Sequence, residues 1–169
     1  VYEKYLKEAN ANVYVSVVPD KNYYLAQNNS FPVLDYEKIF AEVQDQMGWG
    51  QYIDMTGALD LDCFYTTDTH WRQENLVKVA EKIAEAMKTK VTPFEKYTME
   101  LIEKPFYGVY YGHAALPMEP ETMYYLQSDL LANCTVLDVQ TNGKTPVYDL
   151  QMESSDDMYN IFLSGPKAL

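Results

Sequence analysis

Asp68, Thr69 and His70 place a carboxylate and an imidazole two residues apart. That pairing suits one kind of chemistry. A serine hydroxyl is a weak nucleophile at neutral pH and needs a base to take its proton. An imidazole does this well when a carboxylate on its other nitrogen fixes the tautomer and stabilises the cation that forms. In an extended segment, residues two apart project to the same side, so Asp-x-His can aim both groups into one cleft. The segment also lies where a strand gives way to a helix, which is where open α/β sheets form clefts. The same spacing arises by chance, and histidines often only satisfy structural hydrogen bonds. Three residues alone therefore leave both readings open.

The elements around the motif read as follows. Val1 to Asn10 has helical character, with Tyr2, Tyr5 and Leu6 along one side. Val13 to Val18 is β-branched, nearly all apolar and stopped by Pro19, the pattern of a strand buried on both faces. Asp35 is a good N-cap for a helix to about Met47, ended by Gly48 and Gly50. Tyr52 to Met55 is a short strand, and Thr56 to Leu59 a turn. Gln73 to Lys88 is the clearest helix, with Leu76, Val79, Ala80, Ile83, Ala84 and Met87 at helical spacing. This strand–helix alternation predicts βαβ units and an α/β fold with a mainly parallel sheet flanked by helices.

From Val91 the texture changes. Pro93, Pro105, Pro117 and Pro120 punctuate short segments. Strands are expected at Lys96 to Glu103, Met123 to Leu126, Thr135 to Gln140 and Pro146 to Leu150, with Asn142-Gly143 as a hairpin signal. The expected organisation is one domain. Residues 1–90 form its core, 91–155 a small antiparallel β insertion, and 156–169 a return to the core through a helix starting near Asp156.

Composition narrows the partners. The chain has 169 residues with 13 basic and 25 acidic side chains, a net charge of −12. Phosphate binding needs clustered Lys and Arg, so this balance argues against nucleic acid and against an anionic membrane surface. No transmembrane run or signal peptide is present, so direct membrane insertion is not expected. The 16 tyrosines are read chiefly as half-buried β-formers, and secondarily as flat surface for stacking on sugar rings. Cys63 and Cys134 match neither a zinc spacing nor a redox pair; one disulfide and two thiols both remain open. The opening inside a helix is expected of a piece of a longer protein whose N-terminus held a targeting segment.

Beyond its three reactive residues, the segment Phe64-Tyr65-Thr66-Thr67-Asp68-Thr69-His70-Trp71 resembles the signature of the DHHW protein family. Thr69 departs from that family's second His. In this it is similar to the alginate and peptidoglycan O-acetyltransferases of the SGNH-hydrolase-like group. Val18-Pro19-Asp20-Lys21, Tyr52-Ile53-Asp54, Phe106-Tyr107-Gly108 and the stretch from Asp157 to Gly165 resemble further landmarks, so the likeness covers nearly the whole chain. It implies an SGNH-like α/β fold, His70 as general base and Asp68 as its orienter. Trp71 would wall the cleft or pack beneath the histidine. Tyr65 and Arg72 are further cleft candidates, Arg72 standing where a helix N-cap is common and facing an anionic group. Neither metal nor cofactor is implied.

The resemblance also implies a serine in a strand–turn after the Asp-x-His segment, and no such segment is seen. Ser16, Ser30, Ser128, Ser154, Ser155 and Ser164 all lie in unsuitable contexts. The expectation is an incomplete domain whose nucleophile lies beyond the chain, with self-association covering an exposed sheet edge. Lys21 reads as structural, His113 as a loop histidine, and Glu119 and Glu121 as a solvated turn. Asp54, Asp60, Asp62 and Asp68 do not have EF-hand spacing. The functional expectation is an extracytoplasmic esterase or O-acyltransferase acting on cell-surface polysaccharide. The alternatives are a non-catalytic carbohydrate-binding or envelope-associated module, and an interaction domain in which Asp68 and His70 only lock a helix start.

Overall fold

The structure is a computed structural model that describes residues 2–26, 30, 32–115 and 117–166. The chain divides into two compact units: Val1–Tyr65 with Thr69–Thr92, and Thr66–Asp68 with Pro93–Leu169.

The first unit begins with helix α1, Tyr2–Glu8, carrying a Lys7–Glu3 pair at 2.5 Å. Strand β1 is Tyr14–Val15. Helix α2, Lys21–Leu25, is capped by Asp20, whose carboxylate accepts from Tyr23 N. Helix α3, Tyr36–Gln46, starts as expected at Asp35, which accepts from Lys38 N at 3.1 Å. Strand β2, Gln51–Tyr52, runs parallel to β1 with Tyr14 opposite Gln51 and Val15 opposite Tyr52. Helix α4 is Leu76–Ala86, entered through a 3-10 turn at Gln73–Asn75. Ile53, Met55, Ala58, Leu59, Cys63, Phe64 and Val79 form the core, with Tyr14, Tyr24, Trp71 and Ala86 packed on it.

The Val13–Val18 reading needs correction. Only Tyr14 and Val15 pair, their side chains are half-buried, and Val18 is 41% exposed. Among the described residues the apolar run has one partner strand, of two residues, which does not bury both of its faces. Among the described residues β1–β2 is the parallel part of the fold, and a larger parallel sheet is not seen.

The second unit contains strand β3, Thr98–Phe106, helix α5, Val109–Ala114, and strand β4, Glu121–Gln127. β3 and β4 pair antiparallel from Thr98–Gln127 to Ile102–Met123, then after an irregularity at Phe106–Glu121. Helix α6, Asp129–Asn133, is capped by Ser128. Strands β5, Thr135–Asp138, and β6, Gly143–Pro146, form the expected hairpin, with Asn142 left-handed at φ 55°. Its second strand therefore starts at the turn glycine and ends where Pro146–Leu150 was expected to begin. Leu150–Ser154 is a 3-10 turn instead. The helix expected from Asp156 is a single 3-10 turn, Met158–Ile161, capped by Asp157. Ile102, Phe106, Met123, Tyr125, Leu126 and Ile161 are buried. Tyrosines pack by their edges here: Tyr125 on Tyr148 at 5.1 Å and Tyr159 on Phe106 at 5.5 Å.

Candidate functional site

The motif is carried by a small hairpin, not by an extended strand. Its stem belongs to the first unit. Arg72 N donates to Cys63 O at 2.7 Å, Phe64 bridges Trp71 antiparallel, and Tyr65 N donates to His70 O at 3.2 Å. Thr66 to Thr69 thus form a four-residue loop between the two closing residues, Tyr65 and His70. The same-side argument for an extended Asp-x-His does not apply, because Asp68 lies in the loop and His70 in the stem. Asp68 is 3% exposed, whereas His70 is exposed.

Side chains pin the stem on both sides. Lys21 Nζ donates to the backbone oxygen of Tyr65. Arg72 Nε donates to Phe64 O at 3.3 Å, and its guanidinium carbon lies 4.7 Å from the Tyr65 ring centroid. That arrangement is a cation–π contact. Tyr65 is 1% exposed, so its ring is core. Trp71 meets Phe64 edge-on at 6.5 Å and packs on the hydrophobic core. Arg72 provides no side-chain cap, and the first turn after it is 3-10. The helix therefore begins differently from one with a Ser or Thr cap.

Nearby, burial pushes the Glu74 carboxyl up from its ordinary range, opposed by a backbone hydrogen bond and by the charge of Arg72. One of its buried oxygens, Oε2, has no hydrogen-bond partner.

Residues Thr66–Asp68 of the loop belong to the second unit and are held within it. Asp68 Oδ2 accepts from Val109 N at 2.9 Å. Thr67 O accepts from Tyr110 N at 2.9 Å, and Thr67 Oγ1 accepts from Gly108 N at 3.0 Å. Three successive backbone donors, Gly108 to Tyr110, thus serve two residues of the loop. They can do so because residue 108 is glycine. A Cβ there would lie 2.2 Å from Thr67 O and 2.6 Å from Asp68 Cβ. Its φ of −70° and ψ of 169° suit any residue, so the requirement is steric.

Glu121 supplies the other half of the support. Its Oε1 accepts from Thr66 N at 2.7 Å; its Oε2 accepts from Thr67 N at 2.7 Å and Thr67 Oγ1 at 2.6 Å. The solvated-turn reading of Glu121 is therefore wrong: it starts β4, is half-buried, and bonds the motif across 54 and 55 residues. No local pattern marks it. Gly108 had a signal, since Phe106-Tyr107-Gly108 was among the landmarks.

Asp54 and Asp60 hold turns. Asp54 accepts from Thr56 N and Oγ1, which holds its carboxyl below the usual range. Asp60 accepts from Cys63 N and Sγ. Cys63 is buried in the first unit and Cys134 is exposed in the second, and each is a free thiol. His113 lies in α5 and is exposed.

No family model matches the chain. No curated protein sequence matches it. Solved structures do. PatB1 of Bacillus cereus, solved with a sulfonyl adduct, superposes with a TM-score of 0.69 at 17% identity, over 95% of this chain and 60% of that one. A DHHW family protein from Eubacterium siraeum gives 0.60 at 20% identity, over 98% and 61%. The O-acetyltransferase domain of Pseudomonas putida AlgJ gives 0.54 at 16%, over 74% and 51%. The chain spans about 60% of the length of the first two and about half of the third. Likeness at these identities is likeness of fold. In fold, then, the chain is similar to a DHHW family protein and to an O-acetyltransferase domain, in agreement with the resemblance its Asp68-Thr69-His70-Trp71 block carries.

Proposed function

We propose that this chain forms part of an extracytoplasmic SGNH-like esterase or O-acyltransferase that modifies cell-surface polysaccharide. The observation that carries the reading is the fixed acid: Asp68 is buried and its carboxylate is held by Val109 N, two residues ahead of an exposed histidine. An O-acetyltransferase domain among the fold neighbours supports the reaction class. A sulfonyl adduct in another supports a covalent mechanism, since sulfonyl groups are trapped by activated nucleophiles.

In this reading a serine from polypeptide outside the 169 residues attacks the ester carbonyl. His70 takes the serine proton and returns it to the leaving alcohol. An acceptor hydroxyl, of a sugar or of water, then gives its proton to His70 and bonds the acyl carbon, and His70 passes that proton to the serine oxygen as its ester bond breaks. Asp68 keeps the imidazole in the required tautomer. Trp71 and Tyr65 serve the site by packing the hairpin stem, and Arg72 holds Tyr65 in place. The β1–β2 pair is read as part of a mainly parallel sheet. This chemistry requires no cofactor. No helix among the described residues is long and apolar enough to cross a membrane.

The test is acetyl-ester hydrolysis by the full-length protein and its His70→Ala variant. Loss of the base is expected to cost about 10²–10⁴-fold in rate. Equal rates in the two proteins would end the proposal.

One observation favours a second reading, a carbohydrate-binding module without catalysis. A cleft of about 450 Å³ in the first unit is lined by Tyr23, Phe40 and Tyr52 with Gln44, Asp54 and Thr56. Aromatic faces beside amide and carboxylate groups suit a sugar ring. Binding of soluble cell-wall glycan that survives His70→Ala and is lost in Tyr52→Ala would favour this module; retention in Tyr52→Ala would reject the cleft.

A further inference from the structure

We infer that Glu121 is a positioning residue for the acidic member of the site, setting where Asp68 lies through the backbone that carries it. This rests on the proposal that Asp68 and His70 act together in acyl transfer.

The inference follows from how a turn is held. A buried carboxylate fixed to its partner within a fraction of an ångström needs its own backbone fixed first. In the loop, the two residues before Asp68 present two successive N–H groups, and Thr67 adds its hydroxyl. Glu121 takes all three: Thr66 N on one oxygen, Thr67 N and Oγ1 on the other. By accepting the Thr67 hydroxyl proton, Glu121 leaves Thr67 Oγ1 its lone pairs, and Gly108 N donates into them at 3.0 Å. The next donor along the chain, Val109 N, reaches Asp68 itself at 2.9 Å. One relay therefore runs from Glu121 through the Thr67 hydroxyl to Gly108, and by one peptide step to the Asp68 carboxylate.

Every link has a defined polarity. Both Glu121 oxygens must accept, which an ionised carboxylate does and an amide cannot. In Glu121→Gln one oxygen becomes an NH2 that meets an N–H or an O–H donor head-on. If the NH2 displaces the hydroxyl proton from its acceptor, Thr67 loses its orientation toward Gly108. If it faces Thr66 N instead, the loop loses its first anchor. Glu121→Asp keeps two accepting oxygens on a shorter arm.

The experiment uses the full-length protein with Glu121→Gln, Glu121→Asp and Asp68→Asn. It records the pH profile of kcat/KM for acetyl-ester hydrolysis and the amide exchange of Gly108 and Val109. Glu121→Gln is expected to speed exchange at both amides by about tenfold or more, the loss of one charge-assisted bond. It should also move the low-pH limb of the profile in the same direction as Asp68→Asn, with Glu121→Asp falling between it and the parent. A purely structural role would lower the melting temperature, speed exchange across the second unit alike and leave the pH profile of the folded protein unmoved; that result overturns the inference. If Asp68→Asn itself leaves the profile unchanged, the acyl-transfer reading fails. The positioning role is then decided by the Val109 amide alone: faster exchange in Glu121→Gln supports it, and parental exchange refutes it.

Discussion

Replacing Gly108 by alanine tests the geometry of the loop most directly. The added methyl carbon would lie 2.2 Å from Thr67 O, 2.5 Å from Thr67 C and 2.6 Å from Asp68 Cβ. All three are backbone atoms or the first side-chain carbon, so no rotamer change relieves the overlap. Separation to ordinary contact requires a shift of about 1 Å. A shift of that size takes three hydrogen bonds out of range: Gly108 N to Thr67 Oγ1, Val109 N to Asp68 Oδ2 and Tyr110 N to Thr67 O, now 2.9–3.0 Å long. Neutral bonds contribute about 1 kcal/mol each and one to a carboxylate about 1.5–3 kcal/mol. Alanine recovers about 0.4–1 kcal/mol by restricting the unfolded chain, since its backbone angles here are ordinary. The net expectation is a loss of about 3 kcal/mol, or roughly 6–12 °C in melting temperature. Calorimetry with amide exchange at Val109 measures both the loss and its location. A change below about 0.5 kcal/mol, the usual range for an uninvolved surface position, would refute the close approach of residues 108 and 67.

Two further outcomes follow from ionisable groups. The Glu74 carboxyl is raised by burial, so its contribution to stability is present below the unfolded carboxyl range and lost as pH rises through the folded value. Glu74→Gln should therefore be more stable than the parent at pH 7 and show a smaller difference at pH 4; urea midpoints at the two pH values decide it, and equal differences would show that the burial is not felt. The thiols should separate cleanly. Cys134 is exposed and is expected to react at once with a chromogenic disulfide, while Cys63, buried and with its pKa pushed up by that burial, should react only on unfolding. One thiol per native chain and a second in denaturant is the expected count, and two fast thiols would contradict the packing of Cys63.

What the sequence revealed was mostly what is decided locally. The Asp35 cap and the apolar stripe of α4 depend on neighbours three or four residues away, and both are present. Arg72 in place of a capping residue was also readable, and α4 is entered after it through a 3-10 turn. The Val13–Val18 run misled because burial is a property of what packs on a strand, and a β-branched run says nothing of how many neighbours it finds. The motif itself was readable as a set of residue types, but its shape was not. An extended Asp-x-His and a four-residue loop have the same letters; the difference lies in Tyr65 pairing with His70 and in Glu121 arriving from β4. Glu121 was invisible for the same reason that Val18 deceived. Its partners lie 54 and 55 residues away, and beside Pro120 it looks like any charged turn residue.

The irregularity in β3 between Ile102 and Phe106 contains Lys104 and Pro105. Proline brings no N–H, and a lysine on a strand rim repels a second strand of the same kind. Among the described residues this nine-residue strand has one antiparallel partner, and an unbroken outer edge would offer a long ribbon of donors and acceptors. The break limits that ribbon to its first half. Both residues work against edge-to-edge pairing along the second half of β3, the part that leads into Gly108.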